Sequence, residues 1–452
     1  MMKAKVDRSH YLFNNKALAA LIVPLIVEQM LAVCVGMADS IMIASVGEAA
    51  VSGVSLVDNI MILLINAFAA LATGGAVVAG QYLGQKRNEE GCQASTQLVW
   101  FMSICAIGIT LLVYLGRGFI LHRVFGTIEA DVMGYANVYL LIVAASIPFM
   151  ALYNGGAAIS RTMGNSTLPM LVSLVMNVIN IVGNAICIYG LKMGAEGVAI
   201  PTLISRIVAA ILIVIPLCDP KRMLHIKRTW RYHLDWSLVK KILSVGVPNG
   251  MENSMFQLGK IMVLSLVSTF GTYAIAANAV STSVAMVQIL PGLAVSLAVT
   301  AVIARCVGVG DYEQVIYYTK KLNIITYICL IVMNGIIFLL MPQIMHIYHL
   351  SAKTAQVTEM ILLFHGISCM VIWPLSFILP GTFRASGDAQ ICMIISIISM
   401  WIFRIGFSYL LGGYFKLGVF GVWIAMVIDW SVRTVFFLIR YFSGKWKKEA
   451  IV

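Results

Sequence analysis

The first apolar run of the chain, residues 21–45, carries two carboxylates and a proline in a segment long enough to cross a bilayer. A crossing helix needs about 20 apolar residues, and a carboxylate that faces lipid is costly. Glu28 and Asp39 are eleven residues apart, so at about 100° per residue they project from one face of a helix. Pro24 removes a helical hydrogen bond and favours a kink. We therefore expect this face to meet an aqueous cavity that binds a cation or a proton.

The composition excludes a soluble globular protein. Of the 452 residues, 60% are hydrophobic and 11% are charged, which is more apolar surface than a soluble fold can bury. The net charge of +12 does not indicate nucleic-acid binding, because the basic residues lie in short connections between apolar runs. The nine cysteines form no C-x-x-C pair, so we expect free thiols rather than a disulfide or metal framework. We expect a monomer in contact with membrane lipids, with no nucleic-acid partner.

Hydropathy predicts an all-α integral membrane protein with twelve transmembrane helices. The predicted segments are residues 17–45, 53–80, 93–116, 134–157, 168–190, 196–218, 243–269, 273–304, 318–345, 356–382, 390–413 and 418–440. Lysine and arginine concentrate in alternate connections, on the side that holds both ends of the chain. The positive-inside rule therefore predicts a multi-pass protein of the inner or plasma membrane with both termini in the cytoplasm.

The two halves of the chain are related by a shift of about 224 residues. Pro24 and Glu28 then coincide with Pro248 and Glu252. Gly47 coincides with Gly271, Gly84 with Gly308, and GAEGVAI at 194–200 with GVFGVWI at 418–424. Six spans per half give both halves the same orientation, which predicts parallel repeats. We expect two pseudo-symmetric six-helix bundles around a central cleft, the plan of a transporter.

The predicted domain boundaries follow from this duplication. They are a six-helix N-terminal lobe at 1–218, a basic cytoplasmic linker at 219–242, and a six-helix C-terminal lobe with a short basic tail at 243–452. The linker carries aromatic and leucine residues among its basic ones, which favours a segment lying on the anionic membrane surface.

Sequence motifs argue against several rival classes. The chain has no G-x4-G-K-[ST] motif, so we do not expect an ATP-driven pump. It has no H-E-x-x-H or G-x-S-x-G motif, so we do not expect an enzyme. The duplication disfavours a passive channel. A flippase or exporter of a lipid-linked or polyanionic metabolite stays open, because four intramembrane acids balance four bases.

Several motifs in order resemble the multidrug and toxic compound extrusion (MATE) family. They are P-x3-E-Q and ADSIM in the first span, GQYLGQKR after the second, R-x2-G-N and N-x2-N-x3-N around the fifth, and GAEGVAIPT at the sixth. The resemblance covers essentially the whole chain. It implies a secondary antiporter that exports amphipathic, cationic drugs in exchange for H⁺ or Na⁺ by rocking two lobes around a cavity. No cofactor is implied beyond that coupling ion.

The resemblance also implies a cation or proton site in the N-terminal lobe. The matching positions are Asp39, Asn180, Asn184 and Thr202. The residues themselves support the group, since Asn177, Asn180 and Asn184 are spaced to line one helix face. Amide, carboxylate and hydroxyl oxygens suit an alkali cation or a protonatable acid in a hydrogen-bond network. Apart from Na⁺ at Asp39, we predict no metal site.

Two departures from the family bear on the coupling ion. Some members have an aspartate where Asn184 stands, so this site has one fewer negative charge, which weakens the case for Na⁺. Another branch uses acids in its seventh and tenth spans, and the positions that align with them here are Phe256 and Trp373. We therefore do not expect coupling through the C-terminal lobe in that manner.

The other intramembrane polar residues leave alternatives open. Glu28 and Glu252 are candidate substrate or proton sites, or else acids that stabilise the two proline kinks. Met255 and Phe256 are candidates for the wall of a substrate cavity, against the ordinary packing role of such residues.

Hinge and ion-pair residues can also be named. Pro24 and Gly36 are the predicted hinge of the first span. Asp429 and Arg433, four residues apart, are expected to form a buried ion pair. We expect Arg206 and Arg404 to neutralise acids of their own lobes, and predict no partner for Lys260, in the seventh span. Asp39, with no basic neighbour in the sequence, is the predicted coupling carboxylate.

Overall fold

The computed structural model describes residues 10–126, 129–227, 233–447 and 450–452. Over these residues the chain is helical and contains no strand. Each of the twelve predicted segments contains a helix, so the all-α fold with two sets of six spans is confirmed. The N-terminal half contains span 1 (Asn15–Ala44), span 2 (Glu48–Gly84), span 3 (Asn88–Leu115), span 4 (Ala130–Ala144 with Ile147–Thr162), span 5 (Thr167–Ala185, then a π-helical turn Ile186–Gly190) and span 6 (Glu196–Leu217).

The C-terminal half repeats this order. It contains span 7 (Trp236–Ser268), span 8 (Thr272–Val309), span 9 (Tyr312–Leu339), span 10 (Ala352–Val371 with Trp373–Phe377 and Leu379–Ala385), span 11 (Ala389–Ser399, then π-helical Met400–Gly406 and Ser408–Tyr414) and span 12 (Gly418–Phe442). Short helices Arg117–Phe119, Ile120–Val124 and Met341–Ile347 follow spans 3 and 9.

Length and composition mark eleven of the twelve spans as able to cross a membrane. In the described part of the chain, ten helices are long and apolar enough to cross a bilayer, and the two helices of span 4, bent by 49°, form an eleventh crossing. Span 7 is the twelfth. Its 33 residues are enough to cross, but it is more polar, since it contains Glu252 and Lys260.

Glycines at matching positions make the same turn in each half. Gly47 joins spans 1 and 2 with a φ of 138°, and Gly271 joins spans 7 and 8 with a φ of 102°. Side chains disfavour this backbone region, so glycine is the residue that fits both turns. The turn supports the alignment of the halves at a shift of 224 residues.

The first turns of spans 1 and 7 each pack in the hydrophobic core of the opposite half. Leu18, Leu21 and Leu25 of span 1 pack in the hydrophobic core formed mostly by the C-terminal half. Leu238 and Ile242 of span 7 pack in the core formed mostly by the N-terminal half. Each half therefore receives the first turns of the other half's leading helix.

The halves approach each other closely on the linker side, the end of the molecule that holds residues 219–227 and 233–235. A Cβ built on Gly84 would lie 2.1 Å from the backbone oxygen of Arg305, and one on Gly308 would lie 2.1 Å from the backbone oxygen of Gln81. Spans 2 and 8 can meet backbone to backbone only because both positions are glycine.

Segments near both ends of the chain also cross between the halves on the linker side. The Phe13 N–H donates to Tyr318 Oη (2.8 Å), and the Tyr318 hydroxyl donates to the Phe13 carbonyl oxygen (2.5 Å). The Ile451 N–H donates to Gln81 Oε1 (2.7 Å). These contacts and the glycine approach hold the linker side closed.

The far side, opposite the linker side, is open between the halves. Residues 29–41 of span 1 include no buried residue, and residues 253–265 of span 7 include only Gly259 as buried. A helix between protein and lipid has a buried stripe along one face. These two stretches have no such stripe over about three turns, so they border open space as well as lipid. They line the opening.

Candidate functional site

Asp39, Asn184, Asn180 and Thr202 form one continuous chain of hydrogen bonds. Asn184 Nδ2 donates to Asp39 Oδ1 (2.6 Å) and to Asn180 Oδ1 (3.2 Å). Asn180 Nδ2 donates to Thr202 Oγ1 (3.0 Å), and the Thr202 hydroxyl donates to the Val198 carbonyl oxygen (2.8 Å). The structure thus brings together the four residues that the sequence singled out; their role in binding a cation stays a prediction.

Three helices position this chain. Span 5 places Asn180 and Asn184 one turn apart, where spans 1 and 6 both pack against it. The two amides are buried, whereas Asp39 is half-buried on the stretch of span 1 that lines the opening. Asn177, also buried, continues the amide face one turn earlier and donates to Ser173 Oγ (3.5 Å). The carboxylate is therefore the member of the group that the opening can reach.

One acceptor in the site is free. Asn184 Oδ1 is buried, and no donor in the described part of the chain reaches it. A buried acceptor without a partner is costly. Together with the Asp39 carboxylate, it offers a pair of oxygens that suits an alkali cation, or a hydrogen bond from a protonated carboxyl group.

A second acid lies beside the first and was missed by sequence reasoning. Asp58, half-buried on span 2, accepts a hydrogen bond from the buried Tyr139 hydroxyl (2.9 Å), and its charge acts on Asp39. Asp58 lies inside the apolar segment 53–80, so the rule that marked Asp39 applied to it equally.

The positive charge of Arg206 partly offsets these two negative charges without direct contact. Its Nη1 donates to Ser146 Oγ (2.7 Å), while its charge acts on both Asp39 and Asp58. Within the described residues, it makes no contact ion pair with either. The expected neutralisation inside the lobe therefore operates through space, and Asp39 is not locked to a base.

Glu28 and Glu252 form matching buried ion pairs. Arg161 Nη2 lies 2.6 Å from Glu28 Oε1, which also accepts from the Tyr153 hydroxyl (2.9 Å). Arg384 Nη2 lies 2.7 Å from Glu252 Oε2. Each pair joins a leading helix to the end of span 4 or span 10. This arrangement favours the kink-stabilising alternative, and a substrate or proton role for either acid stays a prediction.

The expected ion pair within span 12 is wrong. Arg433 Nη2 lies 3.5 Å from Glu252 Oε1, whereas Asp429 Oδ1 accepts a hydrogen bond from Ser399 Oγ (2.6 Å). The buried Glu252 carboxylate thus takes two arginines, and a partner across the bundle prevails over the neighbour one helical turn away.

Two cations lie close to the ring of Phe256 in the C-terminal half. Lys260 Nζ is 5.4 Å and Arg404 Cζ is 4.8 Å from the centroid of its ring. Met255 and Phe256 are half-buried on the stretch of span 7 that lines the opening, so both are placed where a cavity wall was predicted. Trp373 is buried and stacks on Phe377 at 4.9 Å.

The predicted hinge residues have different surroundings. Pro24 is buried inside a helix that runs without a break from Asn15 to Ala44. Gly36 is exposed, and a Cβ built on it would meet no other part of the protein within 4 Å. The structure therefore places Pro24 in the closed part of span 1 and Gly36 in the part that lines the opening.

Comparison with known proteins identifies the family. A family model described as MatE matches residues 24–186 and again residues 248–410. The chain is 26% identical over 444 residues to "Probable multidrug resistance protein NorM" of Thermotoga maritima, covering 97% of this chain and 94% of that protein. It is 28% identical over 413 residues to "Probable multidrug resistance protein YoeA" of Bacillus subtilis, covering 90% and 88%.

Solved structures share the fold. One is described as the outward-facing conformation of a multidrug resistance MATE family transporter of the MOP superfamily, with a TM-score of 0.88, 22% identity and coverage of 95% of this chain and 96% of that one. A second, of MATE in the bent conformation, has a TM-score of 0.87, 22% identity and coverage of 97% of each chain. Because the family model matches both halves of the chain, the protein belongs to the MatE family, a family of membrane transporters and not of enzymes.

Proposed function

We propose that this protein is a secondary active antiporter that exports amphipathic, cationic drugs and toxic compounds in exchange for H⁺ or Na⁺. It works in the inner or plasma membrane with the linker and both termini in the cytoplasm, so the open far side faces outward. Support comes from the relatives, two of which are named as probable multidrug resistance proteins, and from the basic residues of the linker.

The observation that carries the proposal is the hydrogen-bonded group at Asp39. A half-buried carboxylate lies on the wall of the opening, linked through Asn184 and Asn180 to Thr202. Intramembrane acids mark ion and proton pathways. Because no base contacts Asp39 in the described residues, its charge is available to either a coupling ion or a cationic drug.

The exchange follows from competition for one negative charge. With Asp39 ionised, a cationic drug in the cleft is attracted to it. When H⁺ or Na⁺ arrives, the carboxylate and Asn184 Oδ1 take it up and the charge is neutralised. The drug loses its attraction and leaves to the outside. Coupling is then a difference in the affinities of ion and drug for the outward-open and inward-open states.

A lipid-linked or polyanionic cargo is the second candidate function. It is favoured by the two cations beside Phe256, which lie on or behind the wall of the same opening. It is opposed by Asp39 and Asp58, whose negative charges would repel a polyanion from the other wall.

Efflux from membrane vesicles tests the proposal. A cationic dye is added to the medium around everted vesicles, whose outer face is the cytoplasmic one, and export is measured as dye uptake into the lumen, driven by a pH gradient alone (acidic lumen) or by a Na⁺ gradient alone (Na⁺-rich lumen). One gradient should drive export in the wild type, and Asp39→Asn should abolish it with membrane insertion intact. Asp131→Asn, which removes an exposed acid at the start of span 4, is the matched control and should export normally. Full export by Asp39→Asn would refute the proposal.

A further inference from the structure

We propose that the C-terminal wall of the cleft contains an anion subsite, formed by Lys260 and Arg404 around Phe256, which binds an oxyanion group of an aromatic cargo. Together with the acids of the opposite wall, it makes the cleft fit for zwitterionic cargo. The chemical class of the subsite's ligand is a carboxylate or a phosphate attached to an aromatic body. The inference rests on the proposed export function and adds a substrate class to it.

The geometry of the three side chains supports a binding surface. Lys260 is exposed on the stretch of span 7 that lines the opening, and Phe256 is half-buried one turn before it. Arg404, in the π-helical part of span 11, is nine-tenths buried behind them. Both cations lie within cation–π distance of the one ring. An aromatic group placed on Phe256 would have two positive charges beside it.

The hydrogen-bonding capacity of Arg404 is not used up. Its Nη1 is buried, and no acceptor in the described part of the chain reaches it. Neither Lys260 nor Arg404 makes a contact ion pair among the described residues. The acid whose charge acts on Arg404 is Asp429; its Oδ1 accepts from Ser399 at 2.6 Å, and it makes no contact ion pair with Arg404 among the described residues. A buried guanidinium with an N–H that lacks a partner is costly, and a small side-chain movement that brings it to a cargo oxyanion would supply the missing acceptor.

Repeat symmetry shows that the two walls have opposite charge. At a shift of 224 residues, Arg404 takes the place of Asn180, and Lys260 lies one helical turn before Val263, the counterpart of Asp39. The N-terminal wall therefore carries two acids, Asp39 and Asp58, with the base Arg206. The C-terminal wall carries two bases, Lys260 and Arg404, with the acid Asp429. A molecule with a cationic and an anionic end fits this field in one orientation, while a simple cation is repelled from half of the cleft.

Two dyes that differ in one group test the subsite. Rhodamine B has a cationic xanthene body and a free carboxylate, and its methyl ester keeps the body but loses the negative charge. Equilibrium binding of each dye to the full-length protein in phosphatidylcholine nanodiscs is measured by fluorescence anisotropy. The wild type should prefer rhodamine B, and Lys260→Gln and Arg404→Gln should each lower that preference about tenfold, the worth of a charge-assisted hydrogen bond.

Matched variants separate charge from folding. Lys260→Arg should retain the preference. Lys353→Gln removes a lysine that also lies over an aromatic ring, Tyr273 at 4.0 Å, but at the start of span 10, and it should behave as wild type. Because Lys260 is exposed, Lys260→Gln gives a usable result even where Arg404→Gln fails to fold.

Three results would overturn the inference. The wild type would fail to prefer rhodamine B, or the Lys260→Gln variant would lose both dyes equally. The third result is that phosphatidylglycerol added to the nanodiscs displaces rhodamine B from the wild type and not from Lys260→Gln. That result would assign the subsite to a lipid headgroup. The measurement needs no ion gradient, so failure of ion-driven export in vesicles would refute the antiport proposal separately.

Discussion

At the scale of single residues, the hydrogen bonds of the site diverge from Asn184. Its amide donates to the Asp39 carboxylate on one side and to Asn180 Oδ1 on the other, and Asn180 in turn donates to Thr202. A carboxylate that accepts such a bond is held in place as an acceptor. The buried Oδ1 atom of the same Asn184 has no partner in the described residues. One side chain thus both orients the acid and presents a second oxygen to the proposed coupling ion.

Replacement of Asn184 should weaken Na⁺ binding more than drug binding. Asn184→Ala removes both the donor at 2.6 Å from the ionised Asp39 and the free acceptor. We expect the affinity for Na⁺ to fall about tenfold or more, since polar contacts to charged groups contribute about 1.5–3 kcal/mol. The measurement is the ion concentration that gives half-maximal efflux. Asn177→Ala, one amide earlier on the same face, is the control, and an equal loss in both variants would contradict the role given to Asn184.

Residue spacing predicted part of this site and missed another part. The spacing of Asn177, Asn180 and Asn184 suffices to put the amides on one face, because helical periodicity is local. The partners of Glu28 and Glu252 come from helices more than a hundred residues away, so no local pattern contains them. Asp58 was missed although a local rule applied to it.

At the scale of helices, spans 1 and 7 combine a fixed part and a free part. The first turns of each are buried in the opposite half, and a buried ion pair joins each to its own half at Glu28 or Glu252. Beyond these pairs, residues 29–41 and 253–265 are poorly packed. Bending is therefore expected in the free part, where Gly36 lies.

Stiffening the free part of span 1 should slow transport without harming the fold. Gly36→Ala adds a methyl group that meets nothing within 4 Å and improves helix propensity by about 1 kcal/mol. We expect dye affinity to stay constant and the efflux rate to fall about fivefold. Gly108→Ala on span 3, where a methyl group also meets nothing, should leave the rate unchanged. Equal rates in the two variants would argue against a hinge at Gly36.

At the scale of the whole molecule, the linker side is closed in this structure, and the proposed exchange makes it a gate. Spans 2 and 8 meet at Gly84 and Gly308, and the segments around Phe13 and Ile451 cross to the opposite halves. The inward-open state requires these contacts to separate. A gate of this kind is expected to be sensitive to side-chain volume at the glycines.

A methyl group at the glycine contact should loosen the gate. Gly84→Ala would place a Cβ 2.1 Å from the Arg305 carbonyl oxygen, and overpacking costs about 1–3 kcal/mol. Hydrogen–deuterium exchange at residues 301–309 should therefore become about tenfold faster or more. Gly335→Ala, where a Cβ meets nothing within 4 Å, is the control. Unchanged exchange in Gly84→Ala would show that the contact does not hold the gate.

The duplication made much of this architecture predictable. A shift of 224 residues aligned Gly47 with Gly271 and Gly84 with Gly308, and these pairs form the matching turns and the gate. The exchange of the first turns of spans 1 and 7 between the cores was not predictable, because it depends on packing between halves that share no local sequence pattern.

The link between drug binding and ion binding at Asp39 can be measured directly. The dissociation constant of a cationic dye is measured for the purified protein across a series of pH values and, separately, of Na⁺ concentrations. Exchange at Asp39 predicts that one of these ions weakens dye binding to the wild type, and that Asp39→Asn binds the dye weakly and with no such dependence. An ion dependence in Asp39→Asn equal to that of the wild type would contradict the exchange at this carboxylate.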